Sequence, residues 1–257
     1  MITLASWNVN GVRAAAKKGL GTWLRETSPD IFCLQETKAQ ESQLDEDIVD
    51  IEGYHSYWMS ADKKGYSGVG LYSKKIPDQI SPLGTKAFDC EGRTLIADYE
   101  NFAVITAYFP NSRPGGSRLD YKIGFCEAIL DLCRSLAEKR RNFVLCGDYN
   151  IAHKPIDLAR PKDNEDSPGY LPQERAWMDA FTAAGFIDTF RMFEQDGGHY
   201  TWWSYVTRAR DRNIGWRLDY HCVPDYFQNA VKGASILRDV FGSDHCPVMI
   251  TFEGENN

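Results

Sequence analysis

The stretch Val144-Leu145-Cys146-Gly147-Asp148-Tyr149-Asn150 joins an apolar run to a carboxylate and an amide two residues apart. Such a run, bounded by charged and turn residues, suits a central strand buried on both faces. Gly147 is expected to let the backbone turn at the strand end. If the chain stays extended, Asp148 and Asn150 point to the same side. An anionic acceptor beside a neutral donor and acceptor is suited to holding a water against a phosphate. A second carboxylate is Glu36, delivered at the end of the strand Ile31-Phe32-Cys33-Leu34-Gln35, with Lys38 just beyond. Two carboxylates presented by strand ends suit a divalent cation, because Mg²⁺ takes one or two of them together with waters and substrate phosphate oxygens. Near the C-terminus, Gly242-Ser243-Asp244-His245-Cys246-Pro247 adds a histidine flanked by an acid. Each feature also has a plain structural reading, as turn formers, a solvated glutamate or a histidine before a strand.

Basic and aromatic residues surround these positions in sequence. Lys63 to Gly68 reads as a positively charged turn presenting Tyr66, and Phe102 to Phe109 as a strand with Tyr108 beside its end. Asn111 follows, then Arg113, Arg118 and Lys122 around Pro114-Gly115-Gly116. Tyr200 to Tyr205 reads as an aromatic strand, and Thr207 to Arg217 holds Arg208, Arg210, Arg212 and Arg217 against the single acid Asp211. Aromatics interleaved with arginines can grip phosphates while packing on unstacked bases or sugars. Trp203 and Tyr220 read equally well as core residues, and the arginines as a solvated hairpin tip. The net charge of −7 argues against nonspecific coating of nucleic acid. The acidic block Glu41 to Glu52 is remote in sequence from the arginine segment, so local patches decide the question.

The elements that must position these groups alternate to the end of the chain. Helices are expected over Arg13 to Glu26, over Ser117 to Arg140 with Ser117 as N-cap, and from Leu171-Pro172 onward. A further short helical segment is expected over Ile187 to Phe193, and a final strand over Val248 to Phe252. Between Ile151 and Tyr170 lies a loop rich in Pro, Asp and Asn, long enough to be functional or mobile. No linker or tandem repeat divides the chain of 257 residues, so one domain over 1–257 is expected. Seven cysteines without a CxxC pair point to free thiols in a reducing compartment. The N-terminus enters ITLASWN without a basic or long apolar segment, which implies no membrane span and a cytoplasmic location.

Eight motifs occur in order: WNVNG (7–11), LQETK (34–38), KGYSGVG (64–70), Tyr108-Phe109-Pro110-Asn111, CGDYNIAH (146–153), TWWSY (201–205), GWRLDY (215–220) and GSDHCP (242–247). The set resembles the exodeoxyribonuclease III family of class II apurinic/apyrimidinic (AP) endonucleases, within the endonuclease/exonuclease/phosphatase superfamily. The resemblance spans about residues 2–252. It implies an α/β fold of the DNase I-like kind, a four-layer sandwich of two packed mixed sheets flanked by helices. The implied reaction is hydrolysis of the phosphodiester 5′ to an abasic site in duplex DNA, leaving a 3′-hydroxyl and a 5′-deoxyribose phosphate. The resemblance also implies 3′→5′ exonuclease and 3′-phosphodiesterase activities, dependence on Mg²⁺ with Mn²⁺ as substitute, and action as a monomer, nucleoid-associated in a prokaryote.

Roles carry over residue by residue as implications of the resemblance. Glu36, helped by Asn8, matches the metal position, and Asp148, Asn150, Asp244 and His245 complete the metal-side set. Asp148 matches the residue that orients or deprotonates water, with Asn150 bonding that water or the phosphate. Asp219 matches the partner of His245, Tyr108 the active-site phenol and Asn111 a phosphate-side amide. Trp202, Trp216 and Leu218 would surround a flipped-out sugar that lacks a base. Arg13, Lys18, Lys38, Tyr66 and Arg113 would contact the DNA backbone. The loop Ser112 to Ser117 differs in length from some members, and Asn10 stands where some relatives carry Asp. The chain also lacks the long N-terminal extension of some eukaryotic relatives. Two other readings compete. One is a metal-dependent phosphoesterase of the same superfamily acting on inositol phosphates or phospholipids. The other is a non-catalytic DNA-binding module.

Overall fold

A computed structural model describes residues 1–254. Its twelve strands are β1 (Ile2–Asn8), β2 (Ile31–Gln35), β3 (His55–Met59), β4 (Val69–Ser73), β5 (Gln79–Ser81), β6 (Thr94–Asp98), β7 (Ala103–Tyr108), β8 (Phe143–Asp148), β9 (Phe186–Asp188), β10 (Asp219–Pro224), β11 (Val231–Ile236) and β12 (Val248–Phe252). They form two six-stranded sheets, ordered β11-β12-β1-β2-β4-β3 and β5-β6-β7-β8-β10-β9. Advancing every strand number of the first sheet by six, cyclically, gives the second. Each sheet has one parallel pair, β1 with β2 and β7 with β8, and its other pairs are antiparallel. The fold therefore repeats an arrangement that the sequence does not repeat.

Alternating side chains assign the layers. In β8, Val144 and Cys146 meet Leu4, Ile31, Cys33 and Leu71 of the other sheet. Phe143 and Leu145 face the opposite way, onto Phe125, Ile129, Trp177 and Phe181 of the helices Leu119–Glu138 and Pro172–Ala183. On the far side, Trp7, Phe32 and Leu34 pack on Ala15, Leu20 and Leu24 of the helices Val12–Ala16 and Leu20–Thr27. The layers run helix, sheet, sheet, helix. Both faces of each central strand are covered, which explains its unbroken apolar run. Truncating such a buried leucine to alanine costs roughly 2–5 kcal/mol.

Several local expectations give way to tertiary context. Arg13 to Glu26 is two helices, interrupted near Gly19, whose φ of 99° favours glycine. The long helix begins at Leu119, with Arg118 rather than Ser117 at its N-cap. Ile187 to Phe193 splits into the edge strand β9 and a short helix, Phe190–Phe193. Tyr200 to Tyr205 is not a strand: Trp202 makes isolated bridges to Trp216 and His245 before a 3₁₀ turn. All seven cysteines are free, six of them buried. Among the described residues no helix is long and apolar enough to cross a membrane.

Candidate active site

The C-terminal ends of the two parallel pairs meet at one edge of the sandwich. In register, Asn8 lies beside Gln35, Tyr108 beside Asp148, and Asp148 beside Asp219 of β10. Gly147 lies within β8 rather than at a turn. Its φ of 137° favours glycine, and a Cβ there would stand 2.0 Å from the Ala107 carbonyl oxygen, so the backbone conformation and the close approach of β7 both require it. Beyond the strand ends the backbone turns through left-handed residues: Asn10, Glu36, Lys38, Arg113 and Asn150 all have φ between 48° and 61°. This conformation is uncommon outside glycine and clusters at functional sites.

Asp148 is the hub. Its Oδ2 accepts from Asn8 Nδ2 at 2.8 Å and from Asn150 Nδ2 at 3.1 Å, while Oδ1 accepts the Asn150 backbone N–H at 2.8 Å. Extended geometry does not persist to Asn150, yet its amide still reaches Asp148. Asn150 Oδ1 accepts from Asn111 Nδ2 at 3.1 Å, which places the phosphate-side amide in the same network. His245 Nδ1 is 2.8 Å from Asp219 Oδ2, and His245 Nε2 is 3.8 Å from Asp148 Oδ2. The His245 carbonyl accepts from Trp7 Nε1 at 3.0 Å, so the ring stands on a fixed segment.

Burial opposes charge throughout this cluster. Desolvation alone would lower the His245 pKa, but the charges of Asp219 and Asp148 outweigh it and raise it. The same burial raises the Asp148 carboxyl, an effect that His245 partly offsets. Asp219 at Nδ1 and the more distant Asp148 on the Nε2 side both favour a protonated imidazole. Burial, and then the nearby Glu36 and Asp148, raise the Tyr108 phenol well above its usual range, so it keeps its proton at neutral pH.

The donor chemistry fits a hard divalent cation. Glu36 Oε2 shares the Asn8 Nδ2 donor at 3.1 Å, which brings a second carboxylate beside Asp148. A cation already occupies this corner: Lys38 Nζ lies 2.8 Å from Glu36 Oε1 and 2.5 Å from Asn10 Oδ1. Asp148, Asp219 and His245 also present ligand atoms within 4.8 Å of one another, and Asp219 Oδ1 is buried without a partner. A buried acidic cluster able to hold a metal is therefore present. Asp244 lines the same cleft, but its oxygens already accept from Asn10 at 2.9 Å and Trp202 Nε1 at 3.0 Å. Asn10 is explained by this contact, since an aspartate there would set a carboxylate against Asp244.

A cleft of about 590 Å³ opens over the cluster, walled by Trp202, Trp216 and Leu218. The two indoles meet edge to face at 85°, which makes a stiff apolar corner. Arg13 and Lys38 line a second cleft beside Gly11, and exposed Lys18 donates to the Gly242 carbonyl at 3.0 Å. Exposed Arg113 follows Asn111 and donates its backbone N–H to the Asn111 side chain. The Tyr66 hydroxyl is held by Arg93 Nη2 at 3.0 Å and by Arg118. Two of the four segment arginines turn inward. Arg210 stacks between Trp203 and Phe241, and buried Arg217 bonds Asp157 at 2.8 Å and Asp188 at 2.6 Å. Trp203 and Tyr220 are core residues.

Sequence reasoning missed the far wall of the cleft, formed by Arg160, Asn164, Ser167, Pro168 and Gly169. Its only sequence signal was the length of the loop that carries it. A second miss is the buried pair Lys122 and Glu174, which nothing in the sequence linked to each other.

Residues 5–245 match the profile described as the Endonuclease/Exonuclease/phosphatase family. The chain is 48% identical to an exodeoxyribonuclease of Bacillus subtilis (strain 168), over 95% of this chain and 97% of that protein. It is 40% identical to the DNA repair nuclease APEX1 of Danio rerio, over 96% of this chain and 81% of the relative. Its fold is similar to the crystal structure of an AP endonuclease from Leishmania major. That match has a TM-score of 0.88 at 28% identity and covers 97% of this chain and 86% of the other.

Proposed function

The chain belongs to the endonuclease/exonuclease/phosphatase family, and we propose that it is a DNA-repair nuclease that hydrolyses the phosphodiester 5′ to an abasic site in duplex DNA. The same site would serve 3′→5′ exonuclease and 3′-phosphodiesterase action. One observation carries this reading: the Asp148–Asn8–Asn150–His245 constellation lies at the floor of a cleft walled by two indoles. A phosphate there would meet polar side chains, and a sugar without a base would find an apolar corner beside it.

The roles follow from the bonds already made. Asp148 Oδ1, which accepts only one backbone N–H, keeps a lone pair with which to orient a water and draw its proton. Asn150 has both side-chain N–H groups engaged, by Asp148 and the Phe109 carbonyl, so its Oδ1 would accept from the water, while Asn111, with one N–H bonded to that oxygen, would donate the other to the phosphate. His245 has Nδ1 fixed by Asp219, so its Nε2–H is free to donate to a phosphate oxygen. Tyr108, holding its proton, would be a neutral donor lining the same cleft. Glu36, with Asn8, would hold the metal on which the family depends, and that ion, proposed to be Mg²⁺, would neutralise charge on the phosphate and leaving oxygen.

Trp202, Trp216 and Leu218 would admit the extruded abasic nucleotide, which costs less to flip because no base pair is lost. Arg13, Lys18, Lys38, Tyr66 and Arg113 would contact the DNA backbone. Free, mostly buried thiols support a reducing compartment such as the cytoplasm. The discriminating experiment offers one duplex with a single tetrahydrofuran site, an intact duplex and an inositol phosphate under the same conditions. Preferential cleavage of the first supports the proposal. Turnover of the inositol phosphate alone would replace it with the phosphoesterase reading.

A further inference from the structure

Beneath the candidate amide lies an ion pair with no exposure at either side chain: Lys122 Nζ is 2.7 Å from Glu174 Oε1. Lys122 comes from the helix Leu119–Glu138 and Glu174 from the first turn of Pro172–Ala183. Taking two charges out of water is costly, and an apolar pair of similar volume often packs as well. This pair makes bonds that an apolar one could not. Lys122 Nζ donates to the backbone carbonyl of Asn150 at 2.6 Å, at a residue whose φ is 51°. Glu174 Oε2 accepts the backbone N–H groups of Gly169 at 2.7 Å and Leu171 at 2.9 Å. Its Oε1 also accepts from the Ser112 hydroxyl.

One buried carboxylate thus fastens three segments. Ser112 follows Asn111, Gly169 forms part of the cleft wall, and Lys122 carries the connection to Asn150. The segments touch each other as well, since Ala152 N–H donates to the Gly169 carbonyl at 2.7 Å. A Cβ on Gly169 would approach the Asn150 carbonyl oxygen at 3.1 Å, so the wall and the amide are in direct register.

We infer that Lys122 and Glu174 are positioning residues for the proposed reaction: the pair sets the left-handed turn that aims the Asn150 amide at Asp148, and ties it to the cleft wall. The inference rests on the reading of the cleft as a phosphodiester-cleaving site. It is tested by single-turnover cleavage of a tetrahydrofuran duplex with Lys122→Met, Asn150→Ala and the double variant. Lys122→Met is expected to slow cleavage by roughly 10- to 100-fold, the scale of misplacing a reacting group. Affinity for the duplex in EDTA should stay within about threefold, because no phosphate contact is removed. Because Lys122 acts through Asn150, the double variant should be no slower than Asn150→Ala alone.

Wild-type cleavage by Lys122→Met, or losses that multiply in the double variant, would overturn the inference. If Lys122→Met does not fold, Glu174→Gln keeps an acceptor for Gly169 and Leu171 while removing the charge. It should show a smaller slowing, again absorbed by Asn150→Ala, and multiplying losses would again overturn the inference. An inert wild-type protein would strike down the underlying function instead, a result visible without any variant.

Discussion

Asn8 and Asp148 belong to different sheets, yet Asn8 Nδ2 donates to Asp148 Oδ2 at 2.8 Å. The same nitrogen is 3.1 Å from Glu36 Oε2, so one neutral amide separates two carboxylates that would otherwise repel each other. The proposed metal-side and water-side halves of the site are therefore set against each other by a single side chain. Removing a hydrogen bond to a charged group is worth about 1.5–3 kcal/mol. Asn8→Ala should accordingly lower kcat/KM for incision by roughly 10- to 100-fold and raise the Mg²⁺ concentration needed for half-maximal activity. Steady-state rates across a metal titration check both effects.

Asp148 and His245 act in the proposal on one water and one phosphate. Asp148→Asn and His245→Ala should each reduce incision by orders of magnitude, and the double variant should lose little more than either single one. Binding of an abasic duplex should survive, because phosphate contacts outside the cluster are untouched. Incision near the wild-type rate by either variant would show the assignment to be wrong.

The fold class and the strand ends that carry the candidate site were legible in the sequence; several local contacts were not. The strand-end positions of Glu36 and Asp148 were legible because β2 and β8 are covered on both faces, so their apolar runs end abruptly there. Gly147 was legible as a backbone requirement, as its φ of 137° shows, but the Ala107 carbonyl that also excludes a side chain there is a contact no local pattern encodes. Tyr200 to Tyr205 reads like an aromatic strand, but isolated bridges at Trp202 replace a ladder, leaving Tyr200 and Trp203 in the core, Trp202 at the cleft and Tyr205 exposed. Arg210, Arg217, Lys122 and Glu174 escaped for one physical reason: a charge buried against its partner has the same sequence signature as a charge in water. The six-strand repeat was hidden because it preserves strand order and direction without preserving side chains.

His221, in β10, gives a pH dependence whose sign can be worked out. Burial pushes its pKa from 6.5 down to about 3, and its Nε2 has no partner. The unfolded chain takes up a proton near pH 6.5, whereas the folded chain stays neutral until about pH 3. Between these values the unfolded state binds more protons, so stability falls as pH falls. Within that window the contribution should reach about 1.4 kcal/mol per pH unit. Urea unfolding of wild type and His221→Leu from pH 7 to pH 4 measures it. The slope should flatten in the variant, and parallel slopes would refute the account.

The central claim is tested most directly by mapping the nick in a labelled duplex carrying one tetrahydrofuran residue, with Mg²⁺ or with EDTA. This analogue resists the elimination chemistry of a lyase, so any cut reports hydrolysis. The expected result is a metal-dependent cut on the 5′ side, leaving a 3′-hydroxyl that a polymerase can extend. Failure to cut with any divalent metal, or a cut on the 3′ side, would contradict the reading of Asp148, His245 and the indole-walled cleft as an abasic-site nuclease.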